Sequence, residues 1–354
     1  MKPFCLLANP QSYRPLDWDL TRDRKARLEW LDLFETVFEK ILSHARREYG
    51  AEADGRIQDA YAEFNGLLRA LRTDPSVLPV KQLNLLELDR ARDAVLRKHG
   101  LPDPYASAKR RENEAALKRY PDVVRQLHAG PRNARWLKLI KSVFAGNIFD
   151  LGSKATLHLA DNPGDFMATL ARVKPRPWFI DDFDLLRQVL RRRERSPWFK
   201  AVAFADNAGS DVILGLLPLL RELAIGGTRV VLAANEVPSL NDITATELHQ
   251  LLPRLCEADR LLDHICREGM LVCVSTGTDL PVLDFSAVSD ELNDAARGAD
   301  LVLLEGMGRA VETNLHARFR ADVLRLALVK NETVARHIGA EIFDCVCGYT
   351  RLPR

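Results

Sequence analysis

The chain has 354 residues, 47% apolar and 28% charged, enough hydrophobic material for one large core or two ordinary ones, which excludes a disordered polymer. Lysine plus arginine (51) nearly balances aspartate plus glutamate (49), so a formal charge of +2 offers no global field for nucleic acid or an anionic membrane. Apolar stretches such as Val212 to Leu220 fall short of the roughly 20 residues that cross a bilayer, and Met1 to Pro10 lacks a basic n-region and a full h-region, so the expectation is no membrane contact and a cytosolic address.

Up to about residue 140 the apolar rhythm is helical. Leu28, Leu31, Phe34, Val37, Phe38, Ile41, Leu42 and Ala45 recur at three and four residues, which predicts an amphipathic helix that stops at Gly50. Ile57 to Leu71, Glu112 to Tyr120 and Asp122 to His128 repeat the pattern, with breaks expected at Asp74 to Pro79, Pro102 to Pro104 and Pro121. The charge runs Lys109 to Arg111 and Arg191 to Arg193 are followed by glutamates and read as solvated helix faces rather than nucleic-acid contacts.

From residue 200 short β-rich runs alternate with helix-length segments. Strands are predicted at Ala201 to Ala205, Arg229 to Asn235, Met270 to Ser275, Leu301 to Glu305, Leu326 to Lys330 and Glu341 to Val346. Helices are predicted between them at Val212 to Ala224, with a kink at Pro218, and at Thr244 to Leu252, Ala287 to Arg297 and Glu332 to Ile338. Alternation of this kind, with near-continuous apolar strands, is the mark of a parallel sheet covered on both faces. The expected fold is therefore α/β: a helical N-terminal subdomain (1–140) and a helical junction (141–200) packed on a doubly wound, mostly parallel sheet with helices on both faces (201–354).

Six cysteines without a Cys-x-x-Cys and eight histidines without HExxH or HxH argue for reduced thiols and against a zinc site. Cys345 and Cys347 are read as core. In doubly wound sheets ligands bind at the carboxyl ends of the strands, and those positions here carry Asp206-Asn207, Asn235-Glu236 with Asn241-Asp242, Thr276 to Asp279, Gly306-Met307-Gly308-Arg309 and Lys330-Asn331. Asp206, Asn207 and Asp242 offer the hard oxygen donors that suit Mg²⁺ or Mn²⁺. The Asp206-Asn207 pair also suits a helix N-cap, as does Asn241 to Thr244, so each piece alone carries two readings. Gly306 to Arg309 reads either as an anion-binding glycine turn with a guanidinium fork or as an ordinary turn, and Lys330 as a point charge for phosphate. A GxGxxG and a Walker GxxxxGK[ST] are both absent, which disfavours a nucleotide-dependent transferase.

Taken together, Phe144-Ala-Gly-Asn-Ile-Phe-Asp150, Phe204-Ala-Asp-Asn-Ala-Gly209, Ala234-Asn-Glu-Val-Pro238 with Asn241-Asp242, Leu283-Asp-Phe-Ser286, Glu305-Gly-Met-Gly-Arg309 and Val329-Lys-Asn331 resemble the metal-dependent damage-control phosphatases, once catalogued as a domain of unknown function. The resemblance spans nearly the whole chain. It points to the branch that in animals is fused behind a pantothenate-kinase-like domain and in plants stands alone; no kinase-like segment is visible here, so pantothenate phosphorylation is not expected. The resemblance implies a divalent metal (Mn, Co, Ni or Mg) and hydrolysis of small phosphomonoesters, 4′-phosphopantetheine or its S-oxidised forms foremost. It makes Asp206, Asn207 and Asp242 the metal ligands and Lys330 the phosphate-contacting lysine; with the glycine turn read above, the catalytic residues are expected to be Asp206, Asp242 and Lys330, and Asn147, Asp150, Gly306, Gly308, Arg309 and Lys330 are expected at the substrate phosphate. Attack by water and attack by a carboxylate both fit this set. The alternatives are a sugar-phosphate phosphatase of the same family and a metabolite-binding module that has lost turnover. The expected partner is a small phosphorylated metabolite, with no nucleic acid and no membrane, and with no oligomeric partner legible.

Overall fold

The computed structural model describes residues 1–16, 18–148, 166–191 and 195–352. Helix α1 (Arg24–Tyr49) begins where the Asp23 carboxylate accepts from the Ala26 N–H, and ends at Gly50, whose φ of 74° lets its N–H reach the Arg46 carbonyl. Its buried stripe, including Trp30, Leu31, Phe34, Phe38, Ile41 and Ala45, is the one the spacing predicts. Helices α2 (Asp54–Thr73), α3 (Leu85–Lys98), α4 (Ala106–His128) and α5 (Arg132–Ile148) follow. The break expected at Pro121 does not occur, because α4 runs through it. Pro121 removes one backbone bond, but Tyr120, Val123, Val124 and Leu127 on either side are buried, and that burial outweighs the local penalty.

Seven strands form one sheet in the order β1-β7-β6-β5-β2-β3-β4. They are β1 (Ile180–Asp181), β2 (Lys200–Phe204), β3 (Arg229–Ala234), β4 (Leu271–Ser275), β5 (Leu301–Glu305), β6 (Asp322–Leu328) and β7 (Cys345–Thr350). All neighbouring pairs are parallel except β6 with β7. The chain builds β2, β3 and β4 outward on one side and then returns to lay β5 against the other side of β2, which makes the β2/β5 boundary the topological switch point.

Two of the expected strands are displaced. The run read as Leu326 to Lys330 is β6, which starts at Asp322 and ends at Leu328; its true extent is masked by Arg325, a mid-strand cation buried because its guanidinium donates to the carbonyls of Asn314 (2.9 Å) and Ala317 (2.5 Å). The run read as Glu341 to Val346 is instead a turn, in which Asp344 caps the Glu341 N–H and Phe343 takes a φ of 66°, followed by β7. The two-residue β1 carries too little pattern to be read from sequence.

Alternate residues of each strand enter opposite cores. Val202, Phe204, Val231, Val302 and Leu304 enter the core that also holds the buried residues of α1, α2 and α3, whereas Ala201, Ala203, Leu232, Leu301, Leu303, Cys345 and Cys347 enter the one that holds those of α5 and the segment after β2. Among the described residues no helix is long and apolar enough to cross a membrane.

Candidate active site at the carboxyl ends of the strands

After β2 the chain turns through Asp206 and Asn207 into a π-helix (Asp211–Leu216), continued by the helix Leu217–Ile225 with Pro218 in its first turn. Neither Asp206 nor Asn207 caps that helix, since its N-cap is Ser210 and makes no side-chain bond. Asp242 is not a cap either: Thr244 accepts from the Glu247 N–H and Glu247 returns the bond, closing a capping box on the helix Ala245–Ala258. Both aspartates are therefore released for the strand-end site, where Asn207 and Asp242 form an isolated β-bridge. Asn331, by contrast, is a cap, accepting from Thr333 and Val334 at 2.8 and 3.1 Å. Asp279 turns outward to Arg97.

At the β2/β5 switch point three carboxylates come together: Asp206, Asp211 and Glu305, with ligand atoms within 4.8 Å of one another and all buried. The Asn147 amide at the end of α5 donates to all three, at 3.1 Å to Asp206, 2.8 Å to Asp211 and 3.2 Å to Glu305. Asn207 donates to Asp206 (3.0 Å) and Asp211 (2.8 Å), and the Asp206 N–H donates to Glu305 (2.9 Å). On the cleft side the Arg309 guanidinium donates to both Asp206 and Asp242, the second at 2.7 Å, while Asn235 donates to Asp242 at 3.0 Å. Gly306 has a φ of 93°, and a Cβ there would overlap the Asp206 carboxylate, so glycine is required by both backbone and space. Its N–H donates to the Leu326 carbonyl at 3.0 Å. Gly308 lies against the Pro281 carbonyl, 2.8 Å from where a Cβ would stand.

The electrostatics follow from this crowding. Burial, then the neighbouring Asp206 charge, pushes Asp211 up to about 6, against the pull of Lys330 and the Asn207 and Asn147 amides. Burial, then Asp211 and Asp206, holds Glu305 well above the usual carboxylate range, with Arg309 opposing. Burial works against the Arg309 charge, but Asp242 and Asp206 outweigh it and hold its pKa above the ordinary value.

Asp206, Asn207, Asp242, Gly308 and Lys330 line a cleft of about 630 Å³, while Asp211, Glu305 and Asn147 stand behind Asp206. The opposite wall is α1, through Trp30, Leu33, Phe34 and Val37. A divalent cation fits this site on the chemistry of its donors: four buried carboxylates, Asp206, Asp211, Asp242 and Glu305, face two cations, Arg309 and Lys330. Asp211 Oδ1 and Asn147 Oδ1 receive no hydrogen bond among the described residues. Arg309 already shows that a positive group is held between Asp206 and Asp242.

Residues 33–346 match the model of the damage-control phosphatase ARMT1-like domain. The chain belongs to this family. It is 38% identical over 322 residues to a damage-control phosphatase of Arabidopsis thaliana, covering 90% of this chain and 86% of that protein. It is 32% identical over 397 residues to the 4′-phosphopantetheine phosphatase of Mus musculus, covering 97% of this chain but 48% of the relative, and it spans less than half the length of several curated relatives that it matches. The crystal structure of a DUF89 family protein from Pyrococcus horikoshii superposes with a TM-score of 0.62 at 19% identity, over 90% of this chain and 96% of that one, so the α/β fold is shared.

Of the site residues expected from the sequence, the structure brings together Asp206, Asn207, Asp242, Gly306, Gly308, Arg309, Lys330 and Asn147. Asn147 stands behind the carboxylates and clamps them rather than facing the cleft, and Arg309 forks onto two aspartates. Lys330 lies two residues beyond β6, buried at the cleft edge. Asp150 lies outside the described residues. Sequence reasoning gave no role to Asp211 or Glu305. Their signals were present: Asp211 sits five positions after Asp206, on the first turn of the following helix, and Glu305 ends an otherwise apolar strand at full burial.

Proposed function

We propose that the chain is a metal-dependent phosphatase of small phosphomonoesters, with 4′-phosphopantetheine and its S-oxidised forms as substrates and manganese, cobalt, nickel or magnesium as the metal. The observation that carries this reading is the cleft in which Asp206, Asn207, Asp242 and Lys330 meet at the switch point of the sheet. Asp206, Asn207 and Asp242 would hold the cation, which when bound supplies Lewis-acid charge to a phosphoryl oxygen. Lys330 offers a fixed ammonium to a second phosphoryl oxygen, and its position beside a buried, water-poor wall raises the worth of that charge as negative charge builds in the transition state. Asn147 and Asn207 orient the Asp206 carboxylate, so its free electron pairs are aimed before substrate arrives. Asp211 and Glu305 supply negative charge behind it, which favours a cation in front.

The arm of the substrate is met by the apolar wall of α1, and this supports a phosphorylated metabolite with a long, partly apolar tail over a compact sugar phosphate. The similarity to the mouse 4′-phosphopantetheine phosphatase supports the same choice. The test is kinetics on 4′-phosphopantetheine, its sulfonate, and fructose and ribose phosphates with each metal. The expected result is a kcat/KM for the pantetheine forms at least about tenfold above the sugars. A preference for sugars would overturn the substrate, and no phosphate release with any metal would leave a binding module.

A further inference from the structure

A second cavity, of about 840 Å³, lies beside the cleft. Leu85 at the start of α3 and Glu312 line both spaces, so the two adjoin. The partition is a short π-helix, Gly308–Glu312, in which Gly308 faces the cleft, Val311 faces the second chamber and Glu312 faces both. Irregular helices of this kind are frequent at functional sites because they re-aim side chains within a single turn. The chamber wall is held in place: Tyr13 Oη donates to Asn314 Oδ1 at 2.8 Å and accepts from the Phe285 N–H at 3.1 Å, and Asn314 Nδ2 donates to the Arg309 carbonyl at 3.0 Å. Tyr13 of the chamber wall is thus linked through Asn314 to the backbone of the arginine on Asp206 and Asp242.

The chamber is lined by apolar residues including Leu16, Val311 and Ile338, and by the exposed guanidinium-bearing Arg14 and Arg318. Glu312 is the one acidic group lining it among the described residues, and it sits at the partition. No carboxylate pairs with Arg14 or Arg318 among the described residues; Arg14 donates to the backbone carbonyls of Gln11 and Tyr13. Two guanidiniums in a pocket that also offers the apolar Leu16, Val311 and Ile338 are complementary to an anion on a partly apolar arm.

We propose that the cleft and the chamber are one bipartite substrate site. The phosphoryl group occupies the strand ends, the arm passes Leu85 and Glu312, and an anionic group at the far end of the substrate is recognised by Arg14 and Arg318. The proposal rests on the phosphatase reading above. It makes these two surface arginines specificity determinants, since they reward a charged terminus and leave a neutral one without a partner.

The test compares the parent with Arg14→Ser/Arg318→Ser. The first readout is the ratio of kcat/KM for 4′-phosphopantetheine sulfonate to that for the thiol form, which is expected to fall about tenfold in the double variant. The second is calorimetric binding of pantetheine sulfonate, which has no phosphate, to metal-free protein, expected to weaken by a similar factor. An unchanged ratio with unchanged binding would overturn the proposal. If the parent releases no phosphate yet binds pantetheine sulfonate in an arginine-dependent way, the phosphatase reading falls and the chamber assignment stands. If the parent does not bind the sulfonate at all, the chamber assignment falls.

Discussion

Arg309 donates to Asp206 and to Asp242 from a position that is 2% exposed, so its removal takes from two buried carboxylates the guanidinium that both accept from. Breaking a buried pair by deleting one partner costs on the order of 3–5 kcal/mol, because the remaining charge cannot reach water. Arg309→Met is therefore expected to lower stability by that order in chelator, measured by urea unfolding, and a saturating divalent cation should restore a large part of the loss. Equal stability of variant and parent in chelator would show that the guanidinium does not balance these charges. Lys330 has a different place, at the cleft edge rather than between carboxylates. Lys330→Ala should keep the circular dichroism of the parent and lose phosphate handling, seen as a kcat/KM reduced by about tenfold or more, the range of a lost charge-assisted contact. Parent-like kinetics would make it a structural charge only.

At the scale of elements, the site depends on how closely β2 and β5 approach at their carboxyl ends. Gly306 combines a φ of 93° with a position against the Asp206 carboxylate. Gly306→Ala should push Asp206 out of register with Asn147 and Glu305 and abolish activity, together with a lowered Tm from the strained backbone. A variant with parent activity would show that the close approach is not needed. Elements whose apolar spacing is unbroken, such as α1, β2, β5 and Glu332–Ile338, are legible in the sequence almost to the residue. Two of the failures, α3 and the first half of β6, share one cause, charge inside the core. Helix α3 hides its period because Asp89, Arg92 and Asp93 are buried in an ion-paired cluster on its inner face, with Arg92 bonded to Asp89 at 2.5 Å and Asp93 at 2.7 Å. Arg325 hides the first half of β6 in the same way, and burial without a carboxylate partner brings its guanidinium down to about 10.

For the whole molecule, the buried acids make stability depend on pH in a defined direction. Asp211 and Asp89 are both pushed up to about 6, chiefly by burial, from an ordinary value of 3.8. Between those limits the folded protein keeps protons that the unfolded chain has released, so their contribution falls as pH rises through that window, by on the order of 1.4 kcal/mol per pH unit and group. Metal-free protein should accordingly be less stable at pH 7 than at pH 5, and a bound divalent cation should stabilise it more at pH 7, where the ligands are ionised. A metal-free Tm that rises from pH 5 to pH 7 would contradict this. The site itself was legible only in part: the strand-end addresses of Asp206, Asp242 and Lys330 follow from the βαβ grammar, but the grouping of Asp206, Asp211 and Glu305 depends on β5 lying beside β2, a neighbour relation that strand spacing does not encode.

Under the proposed function, a divalent cation held at the switch point of this sheet makes the chain a phosphatase. The measurement that tests it most directly is phosphate release from 4′-phosphopantetheine after exhaustive chelation, followed by stepwise return of manganese, for the parent and for Asp206→Asn and Asp242→Asn. The expected results are a silent chelated enzyme, recovery of the parent at saturating metal, and variants that keep the parent's circular dichroism but do not recover. Full activity in chelator, or recovery of either variant to the parent's rate, would contradict it.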